Sequence, residues 1–231
     1  MSDTMKQRLD VIRARMAQAC ERVGRDPAQV RLLAVSKTFD ADAIREAAAL
    51  GLREFGENRM QEVRDKVPQL EDLNLRWVLI GHLQTNKAKD AARWVHEVQS
   101  LDRLSLAEAL SRRLEDEGRQ LDVLIQIKTS PEPSKFGLAP ESLIEFLNAL
   151  AAFPALKVQG LMTLAVNSED EDAVRQCFRL LHRLREEAQA AGFTEVKRLS
   201  MGMTSDFEWA IEEGATDIRI GSALFGSRDY A

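Results

Sequence analysis

Eight short apolar segments alternate with helical patterns along the chain, and this alternation constrains the fold more than any other feature. The segments predicted to be strands are 31–36, 53–55, 75–80, 95–99, 121–127, 156–161, 196–199 and 216–220. The helices predicted between most of them are 40–50, 58–70, 85–93, 103–117, 140–152, 170–191 and 204–213. Strands that alternate with helices pair in parallel through right-handed crossovers. Eight such units in 231 residues predict an α/β fold, a (β/α)8 or TIM barrel.

An amphipathic helix precedes the first strand. Its apolar face is formed by Met5, Leu9, Ile12, Met16 and Cys20, and the stretch GRDPAQ ends it. Because no linker, low-complexity tract or internal repeat divides the chain, we expect one domain over residues 1–231, with residues 1–25 forming a helix packed on the barrel. An open doubly wound sheet is the alternative, but no GxGxxG follows the first strand, which weakens a dinucleotide-binding interpretation.

Composition narrows the class of protein. The formal charge is −5 with both signs mixed along the chain, whereas nucleic-acid-binding proteins concentrate basic residues on one face. Cys20 and Cys177 lie in helical patterns with no partner at metal-ligand spacing, so we expect reduced thiols and no metal. The N-terminus lacks an apolar signal core and no apolar run is long enough to span a bilayer. We therefore expect a cytoplasmic protein without a membrane or nucleic-acid partner.

Functional groups of such barrels lie where strands end and the following loops begin. The first predicted strand ends in RLLAVSK, which puts Lys37 at the end of a run that is otherwise apolar. One interpretation is a strand-end lysine whose ammonium group reaches solvent. The other is a nucleophilic amine that forms a Schiff base, because desolvation or a nearby cation lowers the pKa of a lysine from about 10.4 and frees its neutral form. The apolar run alone leaves both open.

The ends of the seventh and eighth predicted strands suggest an anion site. Gly221 and Ser222 follow the eighth strand and begin a short helix, where unpaired N–H groups favour a phosphate. Ser200 and Gly202, at the end of the seventh strand, are candidate donors to the same phosphate. The alternative is a tight turn that needs glycine for backbone reasons. Arg219 lies in the eighth strand, and its charge requires either a carboxylate partner or a ligand.

The motifs at the predicted strand ends run through nearly the whole chain, from about residue 8 to residue 226. They are LLAVSKT, FGENRMQE, IGHLQTNK, KFGL, GLMTLA and LSMGMTSDFEWAIEEGATDIRIGSALFG. In sequence and order they resemble the YggS/PROSC family of pyridoxal-phosphate-binding proteins. The resemblance implies a barrel like the N-terminal domain of alanine racemase, with pyridoxal 5'-phosphate (PLP) held as an internal aldimine on Lys37.

The resemblance also assigns further residues to the cofactor. It implies that the phosphate is bound by Ser200, Gly221 and Ser222, and that Arg219 faces the pyridine nitrogen. Asn58, His82 and Met162 stand in the motifs after the second, third and sixth strands, and we include them in the expected PLP site. The family commonly has Ser where this chain has Thr204, and Thr where it has Ser222; both differences keep a hydroxyl.

The same residues favour PLP binding without strong catalysis. PLP enzymes usually depend on a protonated pyridine nitrogen, which the permanent charge of Arg219 would oppose. Racemisation also needs a second acid or base opposite the lysine, a tyrosine in the related racemases, and the one tyrosine here is Tyr230, next to the last residue. His82 is the best local substitute, but a loop histidine bonded to backbone is the simpler interpretation of it.

Three functions remain open. The resemblance implies a carrier or regulator in vitamin B6 homeostasis, with PLP-dependent apo-enzymes as partners, and we expect a monomer. The second function is an amino-acid racemase or another PLP enzyme. The third is an aldolase that uses Lys37 on a sugar phosphate without a cofactor, for which a colourless purified protein would be the sign.

Overall fold

The computed structural model describes residues 4–132 and 135–226. Its strands are β1 (Arg31–Val35), β2 (Glu54–Glu57), β3 (Arg76–Leu79), β4 (Glu97–Leu101), β5 (Leu121–Gln126), β6 (Leu156–Met162), β7 (Arg198–Ser200) and β8 (Asp217–Ile220). Its α-helices are α1 (Met5–Arg22), α2 (Ala41–Ala49), α3 (Met60–Lys66), α4 (Ala88–Trp94), α5 (Leu104–Asp116), α6 (Leu143–Leu150), α7 (Glu171–Ala190), α8 (Phe207–Glu212) and α9 (Ser222–Phe225). No helix in these two ranges is both long and apolar enough to cross a membrane.

The strands form a closed parallel barrel in chain order. β1 completes the closure, because Ala34 is in register with Phe55 of β2 on one side and with Ile220 of β8 on the other. The prediction of a (β/α)8 barrel preceded by a helix is therefore confirmed, and the open sheet was the wrong alternative. The strand bounds differ from the predicted ones by one or two residues. β4, for example, begins at Glu97 rather than at Val95, because the N–H of Val95 still donates to the carbonyl of Ala91 (3.1 Å) at the end of α4.

α1 covers the outside of the barrel beside α8 and α9. Thr4 caps its first turn, and all the residues of its predicted apolar face are buried. Its polar side also contacts the barrel helices: Arg8 donates to the carbonyl of Leu224 (2.7 Å), and Arg15 forms an ion pair with Glu208 (2.7 Å). The helix is thus fixed over the segments that follow β7 and β8.

A layer of charged side chains fills the barrel at the amino ends of the strands. Its members are Arg31, Glu54, Arg76, Glu97, Asp122, Arg198 and Asp217. Glu97 of β4 accepts hydrogen bonds from Arg31 of β1 (3.0 Å) and from Arg198 of β7 (2.9 Å), so these side chains meet inside the barrel. Burial raises the pKa of Glu97, but the bond from Arg198 and the charge of Arg31 outweigh burial and lower it to about 2. Each charge of this layer, which we call the charged floor, has a partner of opposite charge within it; Glu97 and Asp217 are buried and the other members are partly exposed.

Candidate functional site

A cavity of about 690 Å³ opens at the carboxyl ends of the strands. Loops after several different strands contribute to its wall, as is usual for barrels of this type. Six residues predicted for the site line it, namely Lys37, Asn58, His82, Arg219, Gly221 and Ser222. A volume of this size suits a cofactor or another small molecule.

Lys37 follows β1 in a tight turn with a strained backbone. The N–H of Phe39 donates to the carbonyl of Ser36 (3.1 Å), which closes the turn around Lys37 and Thr38. Thr38 has φ 70°, in the left-handed region where turns usually place glycine. A β-branched residue there is an outlier, and such strain costs about 1–3 kcal/mol. The buried strand therefore ends abruptly at a turn whose lysine lines the cavity.

Arg219 lies in β8 with its guanidinium group buried in the cavity wall. It donates to Oγ of Ser200 (2.8 Å) and to the carbonyl of Thr163 (2.8 Å). Burial lowers the pKa of Arg219 to about 10, against the attraction of Asp206 and Asp217. Arg219 thus stays charged at neutral pH while its hydrogen-bond acceptors among the described residues are neutral. A ligand with a hydrogen-bond acceptor or a negative charge would be a further partner for the Arg219 guanidinium group.

Two glycines bring backbone close to the cavity. A Cβ at Gly81 would lie 2.1 Å from the carbonyl oxygen of Asn58, so the loops after β2 and β3 can touch only because residue 81 lacks a side chain. Gly221 follows β8 and precedes the short helix α9, which begins at Ser222. N–H groups at the start of a helix have no intrahelical acceptor and are available to an anion.

His82 lies at the rim of the cavity. Its ring stacks on that of Phe136, with centroids 3.9 Å apart and an angle of 19° between the planes. Its Nδ1 is 3.7 Å from a carboxylate oxygen of Asp102. Gln126 at the end of β5 donates to the carbonyl of Phe136 (3.0 Å). His82 and Gln126 together hold the loop after β5 against the cavity.

Ser200 and Met162, also predicted for the site, are not among the residues that line the cavity. Oγ of Ser200 donates to Oε1 of Gln99 (2.6 Å) and accepts from Arg219 (2.8 Å). Gln99 in turn donates to Glu97 (2.7 Å), so Ser200 links Arg219 to the charged floor. Met162 is fully buried beside Ser200, its partner in the register of β6 and β7. A role for Ser200 or Met162 in direct contact with a ligand stays a prediction.

Sequence reasoning missed Gln126, Lys135 and Met203, which line the same cavity. Gln126 ends β5, so the strand-end rule itself provided the signal for it. Lys135 and Met203 lie in loops, where no periodicity points to them. Gly202 has φ 92° and lies against α8, where a Cβ would collide with the helix, so backbone conformation accounts for this glycine. Tyr230 lies outside the described residues.

Comparison with known proteins shows which family the chain resembles. Residues 7–229 match the family model of the alanine racemase N-terminal domain. A pyridoxal phosphate homeostasis protein of Aquifex aeolicus is 44% identical over 224 residues, which cover 97% of this chain and 98% of that protein. The structure of PipY from Synechococcus elongatus with PLP bound has a TM-score of 0.82 and 37% identity, over 91% of this chain and 100% of that one.

More distant structures share the fold alone. An alanine racemase of Clostridium difficile has a TM-score of 0.73 at 14% identity, over 97% of this chain and 57% of the racemase. Likeness at that level of identity carries no conclusion about the reaction. Much more similar relatives match this chain over nearly its full length, and this match shows the family. The chain belongs to the pyridoxal phosphate homeostasis protein family, within the group defined by the alanine racemase N-terminal domain.

Proposed function

We propose that the cavity binds PLP, that Lys37 is the residue that bonds to it, and that the protein acts in PLP homeostasis as a carrier or regulator. The observation that carries this proposal is the meeting of Lys37, Arg219 and the Gly221–Ser222 turn in one cavity. The name of the Aquifex relative and the PLP bound in PipY support it.

The donor set fits this cofactor. PLP has a phosphate, a pyridine ring and an aldehyde, and the aldehyde reacts with an amine. Lys37 offers the amine, the charged Arg219 suits a ring nitrogen that accepts hydrogen bonds, and the start of α9 at Gly221–Ser222 offers N–H groups to the phosphate. We assign Asn58 and His82 to the rim of the same site. Ser200 and Met162 lie behind the wall, and we propose that Ser200 serves by holding Arg219.

The same residues favour binding over strong catalysis. The pKa of Arg219, about 10, keeps the guanidinium charged at neutral pH. A cation beside the ring nitrogen opposes its protonation, and an unprotonated ring withdraws electrons less effectively. His82 is the histidine at the rim, but its ring is stacked on Phe136. We therefore propose that reversible binding of PLP is the main activity.

The absorption spectrum of the purified protein, before and after borohydride, tests the proposal. Reduction fixes PLP to the lysine that holds it, and peptide mass mapping identifies that lysine. We expect a pyridoxyl group on Lys37 that is absent from Lys37→Ala. Lys135→Ala is the matched control, because Lys135 lines the same cavity, and this variant should keep the adduct.

Two results would contradict the proposal in different ways. An adduct on Lys135 would overturn the assignment of Lys37 while leaving PLP binding intact. A colourless protein that PLP cannot reconstitute would overturn PLP binding, and sugar-phosphate aldol chemistry at Lys37 would then be the function to test.

The carrier role has its own test. The PLP-loaded protein should activate a PLP-dependent apo-enzyme while free PLP is scavenged, and turnover of a D- or L-amino acid should not exceed that of Lys37→Ala. Turnover above that control would favour the racemase alternative. The monomeric state and the cytoplasmic location expected from the sequence are part of the proposal.

A further inference from the structure

Three charged residues form a buried cluster beneath the turn that carries Lys37. They are Glu57 at the end of β2, and Glu62 and Lys66 in α3. The side chain of Glu57 is fully buried, that of Lys66 is 9% exposed and that of Glu62 is 22% exposed. The described residues that line the cavity do not include any of the three, so direct contact with a ligand does not account for them.

Lys66 connects the cluster to the backbone before Lys37. An ammonium group has three N–H donors, and here they reach the carbonyl of Ser36 (2.9 Å), Oε1 of Glu57 (2.8 Å) and Oε2 of Glu62 (2.9 Å). The carbonyl of Ser36 is the same oxygen that closes the tight turn. Lys66 thus fixes the residue that precedes Lys37.

Glu62 connects the cluster to the backbone after Lys37. Its Oε2 accepts from the N–H of Thr38 (2.6 Å), the residue with φ 70°. Backbone strain of this kind persists only where the surroundings determine the conformation. With Lys66 on one side of Lys37 and Glu62 on the other, the cluster supplies that constraint.

Glu57 is the member of the cluster with incomplete bonding. Its Oε1 accepts from Lys66 and from Oγ of Ser36 (2.7 Å), whereas its buried Oε2 has no hydrogen-bond partner among the described residues. Burial raises the pKa of Glu57 to about 7, against the attraction of Lys66. Burial also raises the pKa of Glu62, but bonds from Thr38 and Lys66 outweigh it and hold that pKa below its usual value. Glu57 is therefore the carboxyl group that changes charge near neutral pH.

We propose that Glu57, Glu62 and Lys66 are positioning residues that hold the Ser36–Thr38 turn in the conformation in which Lys37 binds PLP. Protonation of Glu57 weakens its attraction for Lys66, so the turn is held less firmly and PLP affinity falls as the pH drops below neutral. This inference rests on the proposed function, because it concerns how firmly the site at Lys37 holds PLP.

PLP affinity, measured by absorbance titration between about pH 6 and 9, tests the inference. Lys66→Met keeps the length of the side chain but removes the bonds to the turn, and we expect it to weaken PLP binding about tenfold. Glu57→Gln removes the titrating group, so the ratio of wild-type to variant affinity should change about fivefold between pH 8 and 6. Asp122→Asn is the matched control, since Asp122 is an ion-paired carboxylate at the other end of the barrel, and it should follow the wild type.

Peptide mapping after borohydride separates this inference from the proposed function. An adduct on Lys37 in the wild type, together with wild-type affinity and pH profile in both cluster variants, would overturn the positioning role and leave the proposed function standing. Absence of the wild-type adduct would overturn both. Circular dichroism establishes whether Lys66→Met folds. If it does not, the pH profile of Glu57→Gln decides, because a purely structural role of Glu57 would not move that profile.

Discussion

Each end of the barrel holds a buried glutamate, and the pKa values of these two glutamates are shifted in opposite directions. Glu97, at the amino ends of the strands, accepts hydrogen bonds from Arg31, Arg198 and Gln99, and its pKa falls to about 2. Glu57, at the carboxyl ends, leaves one oxygen without a partner among the described residues, and burial raises its pKa to about 7. Both side chains are fully buried. The difference therefore lies in their partners and not in their exposure to solvent.

Two arginines, partly exposed Arg198 at the amino ends and buried Arg219 at the carboxyl ends, also differ in their partners. Arg198 donates to the carboxylates of Glu97 and Asp217, which outweigh burial and raise its pKa. Arg219 donates to neutral oxygens, and burial lowers its pKa to about 10. Charges are paired within the charged floor, whereas Glu57 and Arg219 at the carboxyl ends have incomplete hydrogen bonding or neutral acceptors among the described residues. Because perturbed buried charges cluster at functional sites, we expect the amino end to govern stability and the carboxyl end to govern binding.

Substitution of each glutamate by glutamine should give the largest difference in stability between two variants. Glu97→Gln removes one of the two buried carboxylates that Arg31 and Arg198 share, leaving them only Asp217 of the two, and should lower the free energy of unfolding by about 3 kcal/mol. Glu57→Gln replaces a carboxyl group that is already poorly solvated. This variant should change the free energy of unfolding by less than about 1 kcal/mol at pH 8. Urea unfolding at pH 8 measures both. Equal losses in the two variants would contradict the division between the ends of the barrel.

The sequence could predict which residues end strands, but not which distant residues meet. The run before Lys37 marks a buried strand, and parallel pairing brings the carboxyl ends of all strands to one face, so the neighbourhood of Lys37 and Arg219 followed from the pattern. Glu97 and Arg198 are 101 positions apart, and no periodicity predicts that their side chains meet inside the barrel.

The cluster at Glu57 was missed for a related reason. Glu62 and Lys66 are spaced four apart on a helix, which is also the commonest pattern of a solvent-exposed ion pair. What distinguishes them is their position under the turn of Lys37, and that depends on how α3 packs on the barrel. The bonds of the Ser200 hydroxyl to Gln99 and Arg219 could likewise not be predicted from the motif that contains it.

The pH dependence of stability sharpens the comparison, because the two glutamates act in different ranges with opposite sign. The pKa of Glu97 falls from 4.5 to about 2 on folding, so its stabilisation is present above pH 4.5 and is lost as the pH falls toward 2. The pKa of Glu57 rises from 4.5 to about 7, so its bound proton stabilises the folded state below pH 4.5, and that contribution is lost as the pH rises through 7. At about 1.4 kcal/mol per pKa unit, each effect is at most about 3 kcal/mol.

Comparison of each glutamine variant with the wild type isolates these contributions from other titrating groups. From about pH 5 to 8, the free energy of unfolding of Glu57→Gln should gain about 2 kcal/mol relative to the wild type. Over the same range the difference between Glu97→Gln and the wild type should stay constant, and it should shrink only in stronger acid. A constant difference for Glu57→Gln would show that Glu57 does not titrate in this range.

The smallest expected effect concerns the strained turn itself. Thr38→Gly places glycine where φ is 70° and should raise the free energy of unfolding by about 1 kcal/mol, because relief of strain exceeds the added entropy of the unfolded chain. The same freedom should loosen the turn and weaken PLP binding about threefold. Thermal or urea unfolding measures the first effect, and absorbance titration measures the second.

Asn74→Gly is the control that decides what a gain at Thr38 means. Asn74 is the other described residue, apart from glycines, with positive φ (48°), and it is not among the residues that line the cavity. Asparagine tolerates this region better than a β-branched residue, so the gain at Asn74 should be smaller, and PLP affinity should not change. If Thr38→Gly gained stability and kept its affinity for PLP, the strain at Thr38 would be a local imperfection of the loop. A gain in stability joined to a loss of affinity would mean that the strain is maintained for the sake of Lys37.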